Sequence, residues 1–155
     1  MVEGKYLEDF QIGDEFKSKG RTVTEADFVN FAGVSGCFHP IHQDEVYCKN
    51  TIFGKRIAHG KMVLAFMLGF WDRMGLTEDT IVAHAGINNL KFKKPVYIGD
   101  TLHSEIKILE TKEGSKLDRG ILVTQATCKN QNDETVLSYT DYIMIYKKTC
   151  KKGKK

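Results

Sequence analysis

The stretch from Met62 to Trp71 constrains the fold more than any other part of the chain. It lies within a predicted helix, from His59 to about Arg73, whose apolar residues fall on every side. A helix that is apolar all round must be enclosed by protein or by lipid. A membrane span needs ~20 apolar residues, so this helix is too short to cross a bilayer. We therefore expect no membrane span, and we expect the rest of the chain to wrap around the helix.

The second half of the sequence contains the segments that can surround the helix. Around Thr101 to Lys112, Leu102, Ile106 and Ile108 alternate with polar residues, as in a strand with one buried face. Three further long segments are also rich in β-branched residues, and short turn-like breaks separate all four. The other three segments are Thr80–Lys93, Leu117–Asn130 and Glu134–Lys147. Long strands joined by short turns predict an antiparallel sheet, and a sheet curled around one helix is an α+β fold.

The first half predicts shorter elements. Glu15–Val23 reads as a strand with an irregularity at Gly20. Thr24–Asp27 has the pattern of a capping box, which predicts a helix that ends near Gly36. Cys37–His42 follows as an irregular loop, because its proline and the glycine before it oppose regular structure. Asp44–Asn50 is expected to form a short helix.

Length and charge exclude several classes of protein. The 155 residues suit one domain, which we assign to residues 1–148, with a basic tail at 149–155. The net charge of +3 arises largely from four lysines in the last five residues, and no basic stripe elsewhere suggests a nucleic-acid surface. The four cysteines form no CxxC pair and no zinc-finger spacing, so we expect free thiols in the cytoplasm and no metal. The first ten residues lack the apolar core of a signal peptide.

Four segments together give the chain a family resemblance. They are Phe10-Gln11-Ile12-Gly13-Asp14, Arg21–Asp27 running into Phe31–Gly36, Pro40-Ile41-His42 followed by Ile57-Ala58-His59-Gly60, and Phe92–Asp100. In this order and spacing the chain resembles the MaoC-like dehydratases, also called R-specific enoyl-CoA hydratases, which have the hot-dog fold. The likeness covers nearly the whole chain.

The resemblance implies a reaction and an assembly. The reaction is the reversible addition of water to a 2,3-enoyl thioester, giving the R-3-hydroxyacyl product. The substrate is a thioester of coenzyme A or of an acyl carrier protein, and no cofactor beyond that carrier is implied. The assembly is a cytoplasmic homodimer, which can pair further into a dimer of dimers, with each active site near the dimer interface.

The hydratase loop of this chain departs from the family pattern. The family reads S-G-D-x-N-P-x-H, whereas this chain reads Ser35-Gly36-Cys37-Phe38-His39-Pro40-Ile41-His42. The proline and His42 match, but Cys37 replaces the Asp and His39 replaces the Asn. A thiol is a weak hydrogen-bond acceptor and is mostly protonated at neutral pH, so it substitutes poorly for a carboxylate.

Three outcomes stay open for this altered loop. A hydratase can persist with His42 as the acid-base residue and His39 as the first candidate for the missing role. Alternatively, Cys37 is activated by a histidine and attacks the thioester, as in a thioesterase. The third outcome is a protein that binds acyl thioesters without turning them over. We favour the hydratase.

Further residues are candidates for binding. The Gly60 amide is expected at a helix N-terminus, where the resemblance places the thioester oxygen, while His59 is assigned a structural role. A group of basic residues is considered for the phosphates of coenzyme A: Lys55, Arg56, Lys91, Lys93 and Lys94. Lys61 either reaches the surface or lines the substrate tunnel. Met62 and Phe66 are considered for an acyl pocket, with core packing as the alternative.

Overall fold

A computed structural model describes residues 4–114 and 116–149 as a strongly curled antiparallel sheet packed around one helix. The predicted basic tail lies outside these residues except for Thr149. The strands are β1 (Glu15–Lys17), β2 (Arg21–Thr22), β3 (Ile81–Phe92), β4 (Thr101–Glu113), β5 (Arg119–Lys129) and β6 (Thr135–Tyr146). The helices are a 3-10 turn at Leu7–Asp9, α1 (Glu25–Ser35), α2 (Pro40–Gln43), α3 (Glu45–Lys49) and α4 (Gly60–Arg73).

The sheet has the strand order β1-β4-β5-β6-β3, and β2 also pairs with β4. Every pairing is antiparallel. On β4, Leu102, Ile106 and Ile108 are buried while Lys107 is exposed, which is the alternation that the sequence predicts. The α+β arrangement predicted from the sequence is therefore confirmed.

Helix α4 packs onto the concave face of the sheet. Its Met62, Met67 and Phe70 side chains are almost completely buried among residues of the central strands. The expectation that the helix is enclosed on every side is wrong for one stripe, because Lys61, Ala65 and Leu68 are exposed. These positions recur at helical spacing, and Leu68 keeps 56% of its surface accessible. One face of helix α4 is thus not covered by the described part of this chain.

Two predicted elements differ in the structure. The strand predicted at residues 15–23 is two short strands. At Ser18 the side-chain hydroxyl, instead of the backbone carbonyl, accepts from the Ser104 N–H at 2.9 Å, which ends the regular ladder. The irregular loop at residues 37–42 contains α2, which begins at Pro40. A proline at the first position of a helix is tolerated, since the amide that it lacks has no intrahelical partner there. Pro40 therefore starts a helix where the sequence pattern predicts irregular structure.

Strand β3 forms an edge of the described sheet. It pairs with β6 on one side only, and its apolar residues Ile87, Leu90 and Phe92 are exposed. An open edge of this length is a template for pairing with another chain. Among the described residues, no helix is long and apolar enough to cross a membrane.

Candidate active site

A cavity of about 670 Å³ lies between the C-terminal end of α1, the loop after it, the N-terminus of α4 and the end of β3. This volume suits a small organic ligand. Six of the residues predicted to act at the site line it: Cys37, His42, Gly60, Lys61, Lys93 and Lys94. The fold thus brings together residues that are far apart in the sequence.

The loop that carries Cys37 and His42 is fixed by helix caps at both ends. Gly36 ends α1 in the left-handed conformation, with φ of 69°, which glycine adopts without strain. His39 precedes α2, and its Nδ1 accepts from the Ile41 N–H at 3.2 Å. His39 therefore acts as a cap, and it does not line the cavity. The capping leaves Cys37 on the loop and places His42 on the last turn of α2.

His42 is anchored so that one ring nitrogen is left as a base. Its Nδ1 lies 2.7 Å from the Ile57 carbonyl oxygen, and because a carbonyl only accepts, Nδ1 carries the proton. The Nε2 lone pair is then available. Burial lowers the pKa of His42, and the neighbouring His59 and His39 act in the same direction, against the opposing effect of the Ile57 carbonyl. The imidazole is accordingly held neutral.

His59 stacks directly on this ring. The two imidazole centroids are 3.7 Å apart, with 27° between the ring planes. The His59 Nε2 lies 3.0 Å from the Cys37 carbonyl oxygen, so it carries the proton for the same reason as Nδ1 of His42. Its Nδ1 is buried and has no hydrogen-bond partner in the described residues. His59 is thus a wall of the site, which the sequence pattern did not reveal.

Cys37 is exposed and stands next to both imidazoles. Its Sγ and one ring nitrogen from each of His42 and His59 all lie within 4.8 Å of one another. The Cys37 N–H donates to the Ser35 hydroxyl at 3.3 Å, which holds the backbone at the end of α1. The thiol of Cys37 therefore lies beside the imidazoles of His42 and His59 on the cavity wall.

Gly60 begins α4 at the cavity wall. Among the described residues, no backbone or side-chain acceptor receives its N–H. A β-carbon at this position would lie 2.8 Å from the ring of Phe92, so a larger residue would require that ring to move. The first amides of a helix carry a partial positive charge. Gly60 thus offers an unpaired N–H donor on the wall of the cavity that His42 also lines, as an oxyanion site requires.

The remaining predicted binding residues lie elsewhere. The guanidinium of Arg56 bonds both carboxylate oxygens of Glu25, at 2.7 and 2.8 Å, and also Glu45, and these contacts raise its pKa. Arg56 thus already pairs with two carboxylates, and its role as a phosphate ligand stays a prediction. Lys55 and Lys91 are exposed and do not line the cavity.

The two apolar candidates pack in the core. Met62 and Phe66 are both buried and do not line the cavity, so the structure favours the core-packing alternative for each. The guanidinium carbon of Arg21 lies 3.9 Å from the centroid of the Phe66 ring, which covers that side chain. Of the basic residues on the cavity wall, Lys94 is paired with Glu134.

Comparison with known proteins identifies the family of this site. The MaoC like domain model matches residues 9–130, which include the loop, both histidines and Gly60. The chain belongs to the MaoC-like family. A match of this length covers most of the chain and confirms the resemblance read from the sequence.

Two MaoC-like relatives are informative. Protein MaoC of Klebsiella aerogenes is 39% identical over 98 residues, which make up 63% of this chain but only 29% of that protein. An (R)-specific enoyl-CoA hydratase of Rhodospirillum rubrum is 34% identical over 103 residues, 66% of this chain and 69% of the relative. The second of these relatives is named as a hydratase, which supports a family of hydro-lyases.

Solved structures agree with the architecture. The X-ray structure of a monoamine oxidase regulatory protein from Archaeoglobus superposes with a TM-score of 0.87 at 35% identity, covering 93% of this chain and 95% of that one. A Mycobacterium tuberculosis protein described as a double hot-dog fold superposes at 0.81 with 19% identity, covering 93% of this chain and 44% of that one. At that identity the likeness concerns the fold alone. The MaoC-like chain has the hot-dog fold.

Proposed function

We propose that this protein catalyses the reversible addition of water to the 2,3 double bond of an acyl thioester. The observation that carries the proposal is the neutral imidazole of His42, anchored through Nδ1 and lining a cavity of about 670 Å³. Membership of a family of hydratases supports it. The carrier is coenzyme A or an acyl carrier protein, and the product is the R-3-hydroxyacyl thioester.

The proposed mechanism divides the work between two groups. The Nε2 lone pair of His42 takes a proton from water as the oxygen attacks the β-carbon, and the resulting imidazolium returns a proton to the α-carbon. Negative charge develops on the thioester oxygen during this step. The Gly60 N–H, at the positive end of α4, is positioned to donate to that oxygen. Both groups are fixed before substrate arrives, so little reorganisation is required.

Cys37 weakens this arrangement. Where the family motif has a carboxylate to hold the attacking water, the thiol offers a weak acceptor. His39 does not compensate, because its Nδ1 caps α2 and the residue lies off the cavity wall. We therefore propose a slow hydratase whose base is intact and whose water is poorly held.

Basic residues at the cavity support a charged carrier. Lys61 and Lys93 are exposed and line the cavity. The phosphates of coenzyme A carry several negative charges that ammonium groups attract. We propose Lys61 and Lys93 as the carrier-binding residues, with Lys94 contributing only if it leaves Glu134.

The test is a pair of assays on the same preparation. Crotonyl-CoA is mixed with the protein, and loss of the enoyl absorbance is followed in the presence of EDTA. A saturated acyl-CoA is assayed in parallel for release of free thiol. Loss of absorbance without thiol release supports the hydratase. If neither signal appears while acyl-CoA binds, the protein is a binding protein and the proposal is wrong.

A thioesterase is the second candidate, because Cys37 lies on the cavity wall beside two imidazoles. In this reaction the thiolate attacks the thioester carbonyl, coenzyme A leaves as its thiol, and water then hydrolyses the acyl-cysteine. Thiol release that Cys37→Ser abolishes would select this reaction over hydration.

We also propose that a second copy of the chain covers the open edge of β3. Antiparallel pairing of two such edges would join the two sheets, as the family resemblance implies. The exposed residues Ile87 and Leu90 support an apolar contact at this edge. Light scattering should give the mass of a dimer, and Ile87→Lys should shift it toward the monomer. A monomeric wild-type protein would refute this assembly.

A further inference from the structure

The three potential ligand atoms of Cys37, His42 and His59 form a compact group that the hydratase proposal uses only in part. One thiol sulfur and two imidazole nitrogens lie within 4.8 Å of one another on the cavity wall. We call these three residues the cavity cluster. Their sequence spacing matches no common metal motif, since the loop after α1, helix α2 and the entry to α4 each contribute one residue.

The hydrogen bonds of the cluster prepare both histidines as metal ligands. Each ring donates one N–H to a backbone carbonyl, His42 to Ile57 and His59 to Cys37. Metal-binding histidines commonly have such a bond, because it fixes the tautomer and leaves the other nitrogen with its lone pair. In His59 that other nitrogen, Nδ1, is buried without a partner in the described residues. A buried acceptor of this kind normally costs stability unless something binds to it.

We propose that the cavity cluster binds a zinc ion through Cys37 Sγ, His42 Nε2 and His59 Nδ1. Thiolate and imidazole are ligands that zinc prefers, and three protein ligands leave a fourth position open toward the cavity. Zinc bonds of ~2.0–2.3 Å require the three atoms to draw closer than they are in the structure. Cys37 is exposed and has room to turn, while the stacked rings must tilt so that their lone pairs converge.

A second group of similar residues shows why the first stands out. His103, Glu105 and Asp133 also lie within 4.8 Å of one another. There, however, the ammonium of Lys129 lies 2.8 Å from Glu105 and 3.1 Å from Asp133. We call these four residues the surface cluster. The ammonium of Lys129 already neutralises these carboxylates, so we expect no metal there. The surface cluster therefore provides a matched control.

Zinc at the cavity cluster would take the lone pair that the proposed hydratase uses as its base. Zinc would then inhibit hydration, a consequence that rests on the proposed function. The binding itself does not depend on that function and is measured without substrate. Replacement of the family carboxylate by Cys37 would thus exchange a water-holding group for a metal ligand.

The test titrates the full chain with Zn²⁺ against a chromophoric chelator, with Cys150→Ser in every sample to remove the thiol that lies outside the described residues. One equivalent should bind. Cys37→Ser should weaken binding by more than the about 10–100-fold that loss of an outer-shell partner costs. Because Cys37 is exposed, this variant should fold, and circular dichroism checks that it does. His103→Asn is the control and should bind zinc as the wild type does.

Cobalt provides an independent readout. Co²⁺ bound by the wild type should show a thiolate-to-metal charge-transfer band, which Cys37→Ser removes and His103→Asn keeps. Equal zinc affinity in the wild type and Cys37→Ser, or a cobalt complex without the thiolate band, would overturn the proposal. Either result leaves the hydratase assay in EDTA unaffected, so the two proposals fail separately.

Discussion

The cavity cluster and the surface cluster contain similar side chains but differ in how their charges and lone pairs are satisfied. In the surface cluster Glu105 contacts three basic groups, Lys17, Lys129 and His103, within 3.4 Å. In the cavity cluster each imidazole donates one N–H to a backbone carbonyl oxygen, which leaves the other ring nitrogen without a protein partner among the described residues. Residue type alone therefore does not make a reactive site. What distinguishes the cavity cluster is that its local partners leave groups free to react.

The largest expected effect comes from removing the base of the cavity cluster. His42→Gln should lower the rate of crotonyl-CoA hydration by about 10²–10⁴-fold, because a positioned acid-base group typically contributes that much. The glutamine amide can keep the bond to the Ile57 carbonyl, so the fold should survive. His103→Gln, the corresponding change in the surface cluster, should leave the rate unchanged. If His42→Gln and the wild type hydrate crotonyl-CoA at equal rates, His42 is not the base. The two clusters would then not differ in reactivity.

A smaller effect, in the opposite direction, is expected at Cys37. Cys37→Asp should raise the hydration rate by about tenfold or more, since a carboxylate accepts a hydrogen bond from the attacking water far better than a thiol does. The measurement is the initial rate with EDTA present, which keeps metal off the cluster. Cys37→Ala serves as the control, because a methyl group removes the thiol without adding a hydrogen-bond acceptor. If the aspartate variant is no faster than wild type, the view that Cys37 weakens the site is wrong.

The sequence predicted the scaffold well because its signals are local. The capping box at Thr24 and Asp27 is present, with the Thr24 N–H donating to the Asp27 carboxylate at 2.8 Å. The four long strands followed from β-branched residues and short turns. The break at Pro40 was misread because a proline that ends one element can equally begin the next.

The site was harder to predict because its contacts join distant segments. The stack of His42 on His59 spans 17 residues of sequence, and the bonds of Arg56 to Glu25 span 31. No periodic pattern records either pairing. His59 was expected to be structural, whereas its ring lines the same cavity as His42. Sequence motifs identified the loop, but only coordinates show which nitrogen atoms are left without a partner.

The smallest expected effect tests the surface cluster through pH. Hydrogen bonding from Lys129, with smaller contributions from Lys17 and His103, lowers the pKa of Glu105 to about 2. A depressed carboxyl pKa stabilises the fold above the pKa of the unfolded chain, and that contribution is lost as the pH falls toward the folded value. The side chain is 34% exposed, so solvent screening reduces the contribution to about 1 kcal/mol. Glu105→Gln should therefore lower the free energy of unfolding by about 1 kcal/mol at pH 7.

Urea denaturation at several pH values measures this difference. The gap between wild type and Glu105→Gln should narrow as the pH falls from ~4.5 toward the folded pKa. Glu110→Gln on the same strand is the control. Among the described residues Glu110 has one ion pair, with Lys112, in which both side chains are about half exposed. Such an exposed pair contributes little to stability. A gap for Glu105→Gln that stays constant with pH would mean that packing, rather than the charge network, holds this cluster. The surface cluster would then be no better neutralised than the cavity cluster, and the expectation that it binds no metal would lose its physical basis.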